Sequence, residues 1–196
     1  MLQYDCMIEV ERKYEYPARK LPALRRRLRQ LGARLDEQKT QVDIYYSPPH
    51  ETFLGQPKFL RLRETREDGR LKASFEYHVP FGRYAAREHE VKIDDPRILK
   101  HILRRLGFKQ EIQVIKKREE WQRGQIEIEI DQVKNLGTFV ELEVMGQTQA
   151  AALKLIDKLA VQLELKPTQQ VMGYFKLLMR KYRPAMWRKY YGQTKN

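Results

Sequence analysis

The sequence has a single cysteine, Cys6, in 196 residues. One cysteine excludes an internal disulfide and a metal cage made of cysteine side chains. The N-terminal residues lack the apolar segment of a secretory signal, and no apolar run approaches the roughly 20 residues that a membrane-spanning helix needs. We therefore expect a cytoplasmic protein with no membrane segment.

Other chemical signatures are also missing. Glycine is scarce, at 10 residues, and no glycine-rich phosphate loop or ordered Ser-His-Asp set stands out. The four histidines have no paired metal-ligand spacing, so we expect them to be packing residues: His50, His78, His89 and His101. Any bound phosphate must therefore be held by side chains.

Positive charge, by contrast, is abundant. Lys and Arg number 39 against 26 Asp and Glu, which gives a net charge of +13 and favours an anionic partner such as a nucleotide, a polyphosphate or a nucleic acid. The length predicts one compact domain, which we place at residues 1–182. A basic and aromatic tail follows at residues 183–196.

This tail mixes Arg, Lys, Tyr and Trp, a composition that can pair with phosphates and stack on bases. A noncatalytic module that holds nucleic acid or polyphosphate is therefore an alternative of another class. The simpler interpretation is a helix extension with a basic terminus. The sequence leaves the oligomeric state open, and a homodimer is compatible with it.

Four amphipathic helices are predicted from apolar residues that recur every three or four positions. Two of them end at a glycine, and the second follows a proline, which favours a helix start. We expect these helices to cover a sheet. They lie at residues 21–31, 98–106 and 148–164 and from about Thr168 onward.

Segments with a two-residue period, which is typical of strands, lie between the helices. Eight strands with few helices predict a closed antiparallel barrel with the helices packed outside, an α+β fold. The predicted strands are residues 7–16, 41–46, 59–66, 71–78, 87–93, 114–121, 125–131 and 138–145. A weak internal duplication is also indicated, since Leu-Gly followed by Gln-Val occurs at 31–42 and again at 106–114.

The first strand separates apolar from charged residues. Its charged side carries Glu9, Glu11 and Lys13, because successive side chains point to opposite faces. Three other strands repeat this design, with Arg61 and Arg63 on one, and paired carboxylates on the others. An ordinary sheet with its charged face in water is the alternative interpretation, but almost no neutral residue interrupts these faces.

If the apolar faces lie outward beneath the helices, the charged faces must line the barrel interior. Unpaired ions there would cost several kcal/mol each, so the interior requires water or a multiply charged ligand. A triphosphate with a divalent metal satisfies both signs of charge. Arg and Lys would hold the phosphoryl oxygens, and carboxylates would hold Mg²⁺ or Mn²⁺.

The ordered motifs resemble the CYTH family of class IV adenylyl cyclases and thiamine or inorganic triphosphatases. The resemblance spans roughly residues 7–180 and implies the triphosphate tunnel fold, an eight-stranded antiparallel barrel with helices outside. The motifs that carry it are Glu9-x-Glu11-x-Lys13, Gln41-x-Asp43-x-Tyr45-Tyr46, Leu60-Arg61-Leu62-Arg63, Arg87-Glu88-x-Glu90, Lys116-Lys117-Arg118, Ile130-Asp131-x-Val133 and Leu136-Gly137-x-Phe139-x-Glu141-x-Glu143.

The resemblance also implies residue roles. Metal would be bound by Glu9, Glu11, Glu141 and Glu143, with Asp131 as a further carboxylate; Glu9, Glu11, Lys13 and Asp131 form the catalytic set. Phosphate would be bound by Lys13, Arg61, Arg63, Arg87, Lys116 and Arg118. A family lysine in the strand after the paired arginines falls either at Lys72 or at Glu76, and a glutamate there would change triphosphate affinity or substrate choice.

Two reactions fit this site. Residues 41–46 and 136–143 look closest to class IV adenylyl cyclases, which convert ATP to cyclic AMP and pyrophosphate, and we favour that activity slightly. An inorganic, thiamine or nucleoside triphosphatase is the alternative, in which metal-activated water attacks the terminal phosphoryl group. The cofactor is expected to be Mg²⁺ or Mn²⁺ in either case.

Overall fold

The computed structural model describes residues 7–80, 84–146 and 148–192. Eight antiparallel strands close into a barrel in the order β1-β5-β4-β3-β2-β6-β7-β8, which confirms the predicted fold. The strands are β1 (Met7–Glu15), β2 (Arg34–Ser47), β3 (Phe59–Glu67), β4 (Arg70–Pro80), β5 (Ala85–Lys92), β6 (Lys109–Arg123), β7 (Ile126–Val133) and β8 (Gly137–Met145).

Strands β2 and β6 begin several residues earlier than predicted. Their first residues are mostly polar and carry no apolar alternation, so the two-residue period does not reveal them. They are ordered by pairing with each other, from Arg34 opposite Gln122 to Ser47 opposite Lys109. The resulting long ladder joins the two strands in the barrel wall.

The helices outside the barrel are α1 (Leu21–Gln30), α2 (Pro96–Arg105), α3 (Gln149–Gln162), α4 (Tyr174–Tyr182) and α5 (Pro184–Tyr191). Helices α1 and α2 end in the same way. Gly32 and Gly107 both have φ +79°, the left-handed conformation that glycine adopts at no steric cost and that ends many helices. The order strand-helix-three strands occurs twice, in agreement with the indicated duplication.

The apolar core lies between the barrel wall and the helices. Val10, Ile128 and Leu142 on the outer faces of their strands are fully buried together with Leu28 of α1 and Ile156 of α3. Because side chains alternate along a strand, this arrangement turns the neighbouring charged residues toward the barrel interior. The predicted division between apolar and charged faces therefore agrees with the fold.

The C-terminal region differs from the prediction of a helix from Thr168. Residues 167–169 form only a single 3-10 turn. Gln170 then bridges to Tyr14, and the N–H of Val171 donates to the carbonyl of Lys13, so the chain runs along β1 before α4 begins. This pairing with the end of β1 is a tertiary contact that a local pattern does not contain.

Helix α5 occupies most of the segment predicted as a tail, and residues 193–196 lie outside the described part of the chain. The Trp187 and Tyr191 rings of α5 stack with their centroids 4.7 Å apart. Tyr190 lies close to the loop at Gly55. A Cβ atom added to Gly55 would lie 2.9 Å from the carbonyl oxygen of Tyr190. Within the described residues, no helix has the length and apolar character of a membrane span.

Candidate active site

A cavity of about 790 Å³ runs through the barrel interior. Glu9, Glu11 and Lys13 of β1 line it, whereas Val10 and Tyr14 of the same strand are buried under the helices. Side chains of both signs reach it from six further strands. They include Asp43, Arg61, Arg63, Glu88, Lys116, Arg118, Glu129, Glu141 and Glu143.

One end of this cavity gathers carboxylates. Glu11 lies directly opposite Glu143 across the β1–β8 ladder. Burial raises the pKa of Glu143 to about 8, with Glu127 and Glu11 contributing repulsion. The pKa of Glu9 is raised by burial and then by Glu143 and Glu11, and one oxygen of Glu9 is buried without a hydrogen-bond partner.

Carboxylates in such an arrangement favour a bound cation, because each one disfavours ionisation of the next. Oxygen ligands are the donors that Mg²⁺ and Mn²⁺ prefer. A second group of possible ligand atoms joins Glu9 to His78 and Glu88, all within 4.8 Å of one another. The donor set at this end of the cavity therefore fits a divalent metal.

A second cluster surrounds Arg118 and Asp131. The guanidinium of Arg118 donates to both carboxylate oxygens of Asp131, at 2.7 and 2.5 Å, and also contacts Glu129. The Tyr174 hydroxyl donates to Asp131 over 3.0 Å. These contacts pair Asp131 with a buried cation and a hydroxyl group, so its carboxylate acts first as a counterion inside the barrel.

Lys13 connects this cluster with the acidic end. Its Nζ lies 2.8 Å from Glu141 and 3.4 Å from Glu11. Burial alone would raise the pKa of Glu141, but Lys13 and Arg118 lower it to about 2. Glu141 is therefore ionised and already paired, in contrast to Glu9 and Glu143.

Two arginines form a third cluster with their own counterions. Arg63 donates to both oxygens of Asp43, at 2.8 and 3.1 Å. Arg61 donates to Glu76 over 2.6 Å and lies 3.6 Å from Glu88. These guanidinium groups are thus neutralised within the protein, and a phosphate must compete with carboxylates for them.

Lys116 lies between the two arginine clusters. Its Nζ is 3.3 Å from Asp131, and only 3% of the residue is exposed. Burial and the neighbouring Arg118 lower the pKa of Lys116 to about 8. A lowered lysine pKa indicates that the local counter-charge is insufficient, so an arriving anion would stabilise the ammonium form.

Two predicted phosphate ligands lie outside this cavity. Lys72 shares a strand face with Glu76 but lies at the β3–β4 hairpin, where it pairs with Glu67 at 2.7 Å and remains 66% exposed. Glu76 is fully buried beneath Arg61, so the glutamate occupies the inner position. Arg87 is exposed and pairs in register with Ile8. Neighbouring side chains of a strand point to opposite faces, and in β5 it is Glu88 that points inward.

Several cavity residues were not assigned a role from the sequence. Asp43 lies on the same strand face as Gln41 in the motif Gln41-x-Asp43, and this alternation is the signal that could have found it. His78 was expected only to pack; it stacks on Phe59 but also contacts Glu88 at 3.1 Å in the cavity. Tyr174 gave no signal, because it reaches the barrel from helix α4.

Comparison with known proteins places this architecture in a family. The family model described as CYTH domain matches residues 7–172, and the chain belongs to that family. A Methanocaldococcus jannaschii protein named as a putative adenylate cyclase is 34% identical over 138 residues, which cover 70% of this chain and 77% of the relative.

Solved structures agree with this assignment. The PH1819 protein of Pyrococcus horikoshii has a TM-score of 0.79 at 26% identity, covering 88% of this chain and 99% of its own. The PH1012 protein of the same organism has a TM-score of 0.76 at 26% identity, with 86% and 98% covered. A Hippeastrum protein described as a putative adenylyl cyclase with a dominant triphosphatase activity shares the fold at 14% identity and a TM-score of 0.61, covering 89% of this chain and 95% of its own.

Proposed function

We propose that the protein is a divalent-metal-dependent enzyme that acts on a triphosphate inside the barrel. One observation carries this proposal. The same cavity contains several carboxylates that disfavour one another's ionisation and several buried cations. A positive charge nearby would stabilise the ionised forms of Glu9 and Glu143, and a negative charge nearby would stabilise the ammonium form of Lys116. A metal and a phosphate chain supply the two together.

Glu9, Glu11 and Glu143 would hold Mg²⁺ or Mn²⁺, with Glu141 at their edge. A metal bound there would supply charge neutralisation of phosphoryl oxygens and orientation of the reacting groups. Glu141 contributes less directly, because it is engaged by Lys13 at 2.8 Å. Lys13 thereby positions that carboxylate and faces the phosphate with its remaining N–H donors.

Lys13 and Lys116 would bind the phosphates first, and Arg118 would join them by exchanging its contacts with Asp131 and Glu129 for phosphate oxygens. Arg61 and Arg63 would join them only by exchanging their contacts with Glu76 and Asp43 for phosphate oxygens. Because position 76 carries a glutamate rather than a lysine, the site should bind the end of the phosphate chain near Arg61 less tightly. Lys72 and Arg87 have no part in the proposed site.

We favour an adenylyl cyclase-like reaction. Its support is the relative named as a putative adenylate cyclase. In this reaction the ribose 3′-oxygen of ATP bonds to the α-phosphorus, the bond from that phosphorus to the bridging oxygen breaks, and pyrophosphate leaves with the electron pair. The hydroxyl proton passes to a base in the site, for which the ionised carboxylates are candidates.

A triphosphatase is the second candidate, because the Hippeastrum fold neighbour is described as a putative adenylyl cyclase that has a dominant triphosphatase activity. Incubation with ATP, tripolyphosphate and thiamine triphosphate under Mg²⁺ or Mn²⁺ separates the two. Cyclic AMP and pyrophosphate are expected from ATP. Phosphate release without cyclic AMP would replace the cyclase by the triphosphatase, and no turnover of any substrate would contradict both.

A further inference from the structure

The cavity has a second unusual carboxylate that is not among the proposed metal ligands. Glu111 of β6 lines the cavity and is 3% exposed, yet neither of its oxygens has a hydrogen-bond partner. Among the described residues, its ion pair is with Lys109, at 3.6 Å, and that lysine is 65% exposed. A buried carboxylate that accepts no hydrogen bond destabilises the folded protein, so its retention calls for a ligand that donates to it.

The backbone is built to aim this side chain. Tyr45 pairs with Ile112 and Tyr46 pairs with Gln110, so Glu111 is the extra residue of a β-bulge in β6. A bulge reorients the side chain at that point and is frequent beside functional sites. The local irregularity thus places a carboxylate, rather than an outward-facing residue, at the cavity.

Aromatic residues line the same cavity as Glu111, and one of them, Tyr45 on the neighbouring strand, pairs with Ile112, the residue after Glu111. Tyr45 packs against Phe59 and Phe175, with ring centroids 5.2 and 5.0 Å away, and Phe59 and Phe175 are partly exposed cavity residues. Arg61 lies over the Phe59 ring at 5.4 Å. The aromatic end is therefore continuous with the arginines of the proposed phosphate site.

The chemistry of this end differs from that of the phosphate-binding interior. Apolar rings with one hydrogen-bonding group are typical of a site for an organic ligand, and flat bases stack well on such rings. Glu111 and Lys116 are five positions apart along β6, about 17 Å of extended strand. This length leaves space for a sugar between a base at Glu111 and phosphates at Lys116.

We propose that this end of the cavity is a nucleobase subsite, in which Glu111 accepts a hydrogen bond from an amino group on the base. The inference rests on the proposed function and narrows its substrate class to nucleoside triphosphates with an amino-bearing base, such as ATP. Inorganic tripolyphosphate offers neither an N–H donor nor an apolar face to this subsite.

The test compares three non-hydrolysable methylene-bridged ligands in the presence of Mn²⁺: an ATP analogue, its counterpart without the 6-amino group, and a tripolyphosphate analogue. Calorimetry on the full chain is expected to show the ATP analogue binding about tenfold to hundredfold more tightly than the counterpart, as for a hydrogen bond to a charged group. Glu111→Met should abolish this preference and leave the other two affinities unchanged.

Two further variants control for folding and charge. Glu111→Gln keeps an acceptor oxygen and should retain part of the preference. Glu15→Met makes the same chemical change at an exposed position of β1 and should change nothing. Thermal unfolding of Glu111→Met should occur at the wild-type temperature or above it, because the variant removes a buried charge that has no hydrogen bond.

The outcomes separate the inference from the proposed function. If the wild type binds tripolyphosphate but does not distinguish the two nucleotides, the subsite is refuted and the triphosphate site stands. If Glu111→Met weakens all three ligands equally, Glu111 acts on the phosphates or the fold, and the subsite is again refuted. If the wild type binds none of the ligands, both proposals fail.

Discussion

Glu9 is the residue at which the metal proposal can be tested most directly. Its carboxylate is buried beside Glu143 and Glu11, and one of its oxygens has no partner. Glu9→Gln removes a ligand charge with almost no change of volume. Turnover should fall by orders of magnitude, and the rise in melting temperature that Mn²⁺ causes in the wild type should largely disappear.

The metal-free Glu9→Gln protein should unfold at the wild-type temperature or slightly above, because the substitution relieves carboxylate repulsion. This comparison distinguishes loss of a ligand from loss of the fold. Glu15→Gln, at an exposed position of the same strand, is the matched control. Wild-type turnover in Glu9→Gln would remove Glu9 from the site.

Lys116 is the cation whose charge responds to pH near neutrality. Burial and Arg118 lower its pKa to about 8, so the ammonium loses its proton as the pH rises through that value. A neutral amine attracts phosphate much less strongly. The affinity for tripolyphosphate, measured without metal from about pH 7 to about pH 9.5, should therefore decrease as the pH rises.

Lys116→Arg provides the control for this pH dependence, since a guanidinium keeps its charge across the whole interval. The decrease should become shallower in the variant. Glu143, with a pKa of about 8, gains negative charge over the same interval and accounts for any slope that remains. An unchanged slope in Lys116→Arg would assign the effect to Glu143 instead.

At the scale of elements, helix α1 holds the outer face of the barrel. Leu28 is fully buried against the wall, whereas Leu106 at the end of α2 is 61% exposed. Leu28→Ala should lower the free energy of unfolding by about 2–5 kcal/mol, because it leaves a cavity in the packed core. Leu106→Ala should cost much less, and equal losses by urea denaturation would contradict a core outside the barrel.

The elements also show what a sequence pattern can and cannot reveal. Alternation within β1 and β7 predicted both their faces, because one face of each strand carries most of its charge; Arg12, on the apolar face of β1, is the exception and pairs with Asp157 of α3. Strand β5 carries charge on both faces, with Arg87 outward and Glu88 inward, so its pattern does not say which side is internal. The phosphate role expected for Arg87 rested on the resemblance of the Arg87-Glu88-x-Glu90 motif, whereas the structure has this residue exposed and outside the cavity.

For the whole molecule, the sequence predicted the closed barrel and the charged interior but not the pairing inside it. Contacts such as Arg63 with Asp43 and Arg61 with Glu76 depend on the register between neighbouring strands. Register is a relation between distant segments, and no single strand contains it. The same reason hides Tyr174, which reaches Asp131 from a helix 43 residues further along the chain.

The net charge of +13 is a property of the whole surface, because most cations inside the barrel are paired with carboxylates. Exposed arginines and lysines should therefore attract an anionic substrate before it enters the cavity.

Salt screens exposed charges over about 10 Å at 0.1 M but affects buried pairs much less. For ATP, kcat/KM should consequently fall several-fold between about 20 and about 200 mM NaCl, while kcat changes little. A neutral osmolyte at matched osmolality should leave both constants unchanged, and a parallel fall of kcat and kcat/KM with salt would show that the ions act within the cavity rather than on the approach to it.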